Sequence, residues 1–175
     1  SARFLAQQGK SWDLMAWSFT TKPGKDGSNR KSVVQLEREA AAVLALGGGF
    51  QAYITQKRDG AIREEQIPTM AEVAKFCRAR QAFCHHAEPV PQVAFLYSTA
   101  AHYREINGLF NRDLARLRGT LQALLESQQS VEILSEHNLS GRMTEYPLIV
   151  VPETDYLEPA FKNELISYVQ AGGNL

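Results

Sequence analysis

The chain has 175 residues, enough for one domain or two small ones, and its 44% hydrophobic and 22% charged content supports a packed core and argues against disorder. Nineteen Lys and Arg balance nineteen Asp and Glu, so no global basic field is available to hold nucleic acid or an anionic membrane surface. No run approaches the roughly 20 apolar residues of a membrane span, and none has the form of a signal peptide.

Ser1 opens the chain without an initiator Met, and Lys10-Ser11-Trp12 runs at once into a strand-like segment. Trp12 to Phe19 is rich in aromatic and apolar types and suits a buried strand. Thr20 to Arg30 carries Pro23, Gly24, Asp26, Gly27, Ser28 and Asn29, the composition of a loop. A helix then opens with a capping box, Ser32 at the N-cap and Gln35 three positions on. Val33, Ala40, Val43, Leu44 and Leu46 give it a broad apolar face, and Gly47-Gly48-Gly49 ends it. Phe50 to Thr55 alternates as a second strand, and a polar loop with Asp59-Gly60 follows. A helix over about 69–83 is expected to start with a second capping box, Thr69 and Glu72, after Pro68. Cys77 and Cys84 fall in it, about 10 Å apart along its axis, too far to bridge one another. Two cysteines make no multi-bridge framework, so the redox compartment stays open.

Between Cys84 and Pro91 the residues His85, His86, Glu88 and Pro89 suit an ordered connector and place a domain boundary, with domains over 1–88 and 89–175. Val93 to Tyr97 is a continuous apolar run, as in a central parallel strand covered on both faces. The Tyr97 to Phe110 stretch, with His102, Tyr103 and Arg104, reads as a loop at the edge of that sheet. A helix around 112–128 carries Leu114, Leu117, Leu121, Leu124 and Leu125 on one stripe. Val131 to Leu134 and Pro147 to Val151 are further strands, and a last helix places Leu157, Phe161, Leu165, Ile166 and Val169 on one face. Gln170 to Leu175 reads as a helix C-cap on paired glycines followed by the first residues of a strand, so the chain is expected to be a piece of a longer protein. The alternation of strands and helices argues an α/β fold with largely parallel strands, which the pattern expects to neighbour one another at 93–97, 131–134 and 147–151.

Chemistry-bearing residues are few. Asp13, Met15 and Trp17 share one face of the first strand, and Trp12, Leu14 and Ala16 the other. A carboxylate beside tryptophan suits a sugar site, since an indole packs on apolar C–H faces while carboxylate oxygens take hydroxyls or a proton. The competing reading is a core tryptophan pair with an Asp at a strand start. His85 and His86 lack a ligand-spaced set of Cys, His or Asp, and a solvated linker explains them. Gly47-Gly48-Gly49 follows a helix and precedes a strand, the reverse of a dinucleotide-binding turn. Glu153 follows the third strand of the second half at the edge where open α/β sheets bind ligands, but stands as a lone carboxylate in a loop. The second half holds no nucleophile elbow. No cofactor or metal is expected.

Taken in order, Trp12-Asp13, Trp17-Ser18-Phe19, Lys31-Ser32 at a helix start, Gly48-Gly49-Phe50 and Asp59-Gly60-Ala61-Ile62 with Glu64-Glu65-Gln66 resemble the closing part of the catalytic barrel of α-L-fucosidases, glycoside hydrolase family 29. Asp13 stands where that family has Glu, and Ser18-Phe19 where it has Gly-Tyr. From about residue 91, Val93 to Tyr97, Tyr146 to Pro152 and Tyr168 to Leu175 are similar to the β-galactosidase trimerisation domain of family 42, which has the class I glutamine-amidotransferase-like fold without its nucleophile. The resemblance implies an incomplete (β/α) barrel segment over 1–88, followed by a partial flavodoxin-like, amidotransferase-like parallel sheet over 89–175. It implies a bacterial glycosidase that cleaves O-glycosidic bonds with retention, using paired carboxylates roughly 5 Å apart. The family's nucleophilic Asp lies on an earlier barrel strand, so the 175-residue chain is expected to be inactive alone. Asp13 would support catalysis, Trp12 and Trp17 would bind a carbohydrate substrate, and the second domain would allow homo-oligomers. If the first strand is a late barrel strand of such an enzyme, Trp17 would lie nearer the substrate mouth and contact the sugar, with Asp13 deeper as a buried orienting group in the intact protein. A periplasmic or secreted location follows from the resemblance alone. Two other readings stay open, a non-enzymatic flavodoxin-like binding or oligomerisation module and a catalytically decayed glycosidase relative.

Overall fold

The computed structural model describes residues 1–22, 29–105 and 114–175, which form two units, Phe4–Glu88 and Pro89–Leu175. Pro23 to Ser28 of the expected first loop, and Phe110 and Arg112 of the expected later segments, lie outside the described residues. A short helix, α1 (Ala2–Leu5), opens the chain.

In the first unit, strand β1 (Asp13–Trp17) leads through helix α2 (Val33–Leu44) to strand β2 (Gly49–Tyr53), which pairs parallel to β1. The capping box of α2 is present: the Ser32 hydroxyl accepts from the Gln35 N–H, and the Ser32 N–H donates to Gln35 Oε1 at 2.8 Å. Leu36, Ala40 and Val43 are its buried residues, at helical spacing. After α2 the chain turns at Gly47, whose φ of +79° favours glycine, and where a Cβ would lie 2.4 Å from the Ala87 carbonyl oxygen. Helix α3 (Ile67–Cys84) follows a single 3₁₀ turn at Glu64–Gln66. It starts two residues earlier than Thr69, with Gln66 at the N-cap and no side-chain cap. Pro68 fits inside that first turn because its missing N–H would have had no intrahelical partner. Glu72 therefore has no box to close, and it pairs with Lys75 at 2.6 Å. Leu36 and Val73 pack with Ala16, Phe50, Met70 and Cys77, so the helices cover one face of the β1–β2 pair.

The second unit holds strands β3 (Val93–Leu96), β4 (Val131–Leu134) and β5 (Leu148–Val150) in the order β4-β3-β5, all parallel. These are the parallel neighbours that the apolar runs lead one to expect. Every residue of β3 is buried. Alternation sends Val93 and Phe95 to one side, with Val131 and the Leu117, Leu121, Leu124 and Leu125 stripe of helix α5 (Ala115–Glu126). It sends Ala94 and Leu96 to the other side, with Leu134, Ile149, and Phe161 and Leu165 of helix α7 (Pro159–Gln170). The stretch after β3 departs from the expected loop: Thr99–Glu105 is helix α4. Helix α6 (Glu136–Leu139) and a 3₁₀ turn at Met143–Glu145 link β4 to β5 and bury Leu139 and Met143. Beyond α7, the Ile149 N–H donates to the Asn174 carbonyl at 3.0 Å, and Asn174 Nδ2 donates to the Pro147 carbonyl at 2.9 Å, so residues 174–175 run beside β5. No described helix is long and apolar enough to cross a membrane.

Candidate functional site

The helices cover one face of β1–β2, and among the described residues nothing covers the other. Register pairs Asp13 with Gly49, Met15 with Gln51 and Trp17 with Tyr53, which puts these six residues on a single surface. All six are exposed, Trp17 at 51% and Tyr53 at 38%. The surface changes character along the strands. At the amino end Gln51 Nε2 donates to Asp13 Oδ2 at 2.6 Å. At the carboxyl end the Phe19 ring stacks on the Trp17 indole, with centroids 5.2 Å apart and planes 20° apart, and meets Tyr53 edge-on at 6.0 Å.

That aromatic cluster is held from behind. The Ser18 N–H donates to the Tyr53 carbonyl at 2.9 Å, and the Lys31 N–H to the Ser18 carbonyl at 2.8 Å. Ser18 and Gln66 are both buried, and the Ser18 hydroxyl donates to Gln66 Oε1 at 3.3 Å. Phe19 bridges antiparallel to Arg30. Trp17 and Phe19 thus project from a backbone fixed on both sides. The Tyr53 hydroxyl donates to Gln56 Oε1 at 3.3 Å, and the Asp59 carboxylate closes the next turn on the Ala61 N–H at 3.0 Å.

The residues singled out in the sequence are not gathered in one place. Asp13 and Trp17 share a face but sit at opposite ends of β1, about 13 Å apart at the usual rise of a strand. Asp13 is exposed in this chain, because nothing described covers the face it shares with Met15 and Trp17. Trp12 belongs elsewhere again: its indole lies against Gly48, where a Cβ would come within 2.3 Å of ring atoms. Sequence reading missed Phe19, Tyr53 and Gln56, whose meeting with Trp17 depends on the β1–β2 register. The aromatic residue two positions past Trp17 was the available signal.

In the second unit the carboxyl ends of the strands carry a hydrogen-bonded knot. Glu136 Oε2 accepts from the Thr99 N–H at 2.9 Å and the Thr99 hydroxyl at 2.8 Å, and Glu136 Oε1 accepts from the Ser98 hydroxyl. Partial burial pushes the Glu136 carboxyl up, but the Ser98 and Thr99 hydrogen bonds outweigh it and hold the group below the usual carboxylate range. The carboxylate thereby occupies the start of α4. Because β3 lies between β4 and β5, the chain reverses direction across the sheet here, the place where doubly wound folds bind ligands. The pocket at that point, lined by Leu96, Ser98, Leu117, Pro152, Glu153 and Thr154, is about 20 Å³, room for one water. Glu153 pairs with Arg116 at 3.1 Å on the exposed surface. His102 Nδ1 lies 2.9 Å from the Tyr97 hydroxyl, and the His85 and His86 rings lie 3.9 Å apart. Among the described residues no three His, Cys, Asp or Glu come together to hold a metal.

No protein-family model and no curated protein sequence matches the chain. Among solved structures it is similar to α-L-fucosidase isoenzyme 2 from Paenibacillus thiaminolyticus, with a TM-score of 0.80 and 22% identity over 99% of this chain and 26% of that one. It is similar as well to Gan42B, a GH42 β-galactosidase, with a TM-score of 0.66 and 16% identity over 98% of this chain and 28% of that one. A β-galactosidase from Rahnella sp. R3 has the same TM-score and identity, over 98% of this chain and 29% of its own. The chain spans about a quarter of the fucosidase's length. At these identities the likeness is one of fold: the chain shares the mixed α/β architecture of part of these glycosidases.

Proposed function

We propose that the chain is part of an α-L-fucosidase-like glycoside hydrolase, with residues 1–88 closing a (β/α) barrel and residues 89–175 beginning an amidotransferase-like accessory domain. One observation carries the reading: the bare face of β1–β2 ends, at the carboxyl end of both strands, in a half-exposed indole. Barrel enzymes keep their chemistry at that end of the strands, and an open indole there offers a flat apolar surface to the C–H face of a sugar. The fold shared with three glycosidase chains supports it. Trp17 is the sugar-contacting residue in this reading. Asp13, at the far end of β1 and bonded to Gln51, is an orienting group rather than the acid or base. Trp12 contributes by packing on Gly48. The carboxylates that perform retaining hydrolysis come from barrel strands outside the chain.

The test is kinetic and uses the longer polypeptide on aryl α-L-fucosides. Trp17→Ala is expected to lower kcat/KM by about tenfold or more, a loss of about 1.4 kcal/mol of transition-state binding. Unchanged kinetics would make Trp17 a packing residue and remove the reading's main support.

A further inference from the structure

Stacking alone chooses poorly among sugars, since many pyranosides present an apolar face to an indole. Discrimination needs directional donors and acceptors beside the ring. Phe19 has none, and Trp17 has only its indole N–H. The polar atoms joined to the cluster include those of Tyr53, which stands opposite Trp17 in the strand register and meets Phe19 edge-on, and of Gln56, with Arg30 bridged to Phe19 through the backbone. Tyr53 spends its one proton on Gln56 Oε1. Its phenol oxygen keeps a lone pair free to accept, and Gln56 Nε2 keeps two N–H groups that have no partner among the described residues. An acceptor therefore stands next to a donor at the edge of the aromatic wall, and both side chains are exposed. A hydroxyl group, which donates and accepts at once, is the ligand chemistry that matches.

Building on the carbohydrate reading above, we infer that Tyr53 and Gln56 form the specificity-determining pair of this site, gripping one ring hydroxyl of a pyranoside whose apolar face lies on Trp17. Tyr53 orders the Gln56 amide, and each residue supplies half of a two-way hydrogen bond to the same hydroxyl. Substrates with a hydroxyl at that edge are selected over those without one, while stacking sets how tightly all of them bind.

The test uses the longer polypeptide, as for the carbohydrate reading. Methyl α-L-fucopyranoside and its three monodeoxy analogues, each lacking one ring hydroxyl, are titrated while the Trp17 indole N–H signal, assigned with Trp17→Phe, is followed by NMR. The Trp17 signal is expected to move saturably, and one deoxy analogue to bind about 2- to 10-fold more weakly than the parent glycoside, the range of one neutral hydrogen bond. Tyr53→Phe and Gln56→Ala should each weaken the parent by a similar factor and bring that same analogue level with it, while Trp17→Ala removes binding. Tyr53→Phe keeps the ring, so the aromatic wall survives the change. If the glycosides bind at Trp17 but both variants keep the wild-type preference, the inference is overturned and the carbohydrate reading stands. If no glycoside moves the Trp17 signal, both fall.

Discussion

At the scale of single residues, close approach and charge make the sharpest demands. Gly48 lies under the Trp12 indole, and an added Cβ would overlap the ring at 2.3 Å. Gly48→Ala must displace the indole or the backbone, and is expected to cost about 1–3 kcal/mol, read as a lower denaturation midpoint. Gly49→Ala meets the Asp13 Cβ at 3.1 Å, a milder contact, and should cost less. Glu136 makes a different demand, because its carboxylate works only when ionised. Its pKa is lowered in the folded chain from an ordinary 4.5, so its stabilising effect is complete above that value and is lost as the pH falls through the folded pKa. Glu136→Gln is expected to cost about 1–2 kcal/mol at pH 7, from weakened hydrogen bonds to Ser98 and Thr99. The gap between variant and wild type should narrow as the pH falls below 4.5 and through the lowered folded pKa, where the wild-type carboxyl protonates. Parallel midpoints from pH 7 to pH 3 would show that Glu136 does not anchor α4.

At the scale of elements, two helix starts of the same sequence form behave differently. Ser32 and Gln35 close a reciprocal box, so Ser32→Ala should destabilise by about 1 kcal/mol. Thr69 lies inside α3 and caps nothing, so Thr69→Ala should leave the midpoint within about 0.5 kcal/mol of wild type. A midpoint shift as large as that of Ser32→Ala would return the cap to Thr69. The contrast marks where sequence reading succeeds and where it stops. The Ser32 box is legible because it is decided within four residues. The Thr69 box is a false match, because the chain begins its helix at Ile67, where Pro68 already suits the first turn. The sequence presents α4 as a loop because its anchoring group, Glu136, lies 37 residues further along the chain than Thr99. The strands of the second unit were legible from their apolar runs. The candidate site was legible only at Trp17, since Tyr53 and Gln56 join it through a pairing register that no local pattern encodes.

At the scale of the whole chain, the bare face supplies Asp13 as its carboxylate, whereas retaining hydrolysis needs two carboxyl groups about 5–5.5 Å apart. The purified 175-residue chain is therefore expected to show no turnover of aryl α-L-fucosides. Saturable hydrolysis that Asp13→Asn abolishes would relocate the active site to this face. A further check needs only the gene: the reading expects an Asp at the end of an earlier barrel strand encoded upstream. An upstream barrel without that Asp would fit a decayed relative, and no upstream barrel would fit a free-standing binding module.

Among the described residues β1 and β2 pair only with each other, and this carries a consequence for how the chain breathes. Two strands covered on one face are marginal by themselves, whereas β3 is flanked on both edges and buried throughout. Backbone amides along β1 and β2 should take up deuterium from heavy water well before those of β3, because opening the pair exposes one shallow cluster around Leu36 and Val73, while opening β3 disrupts packing on both sides of its sheet.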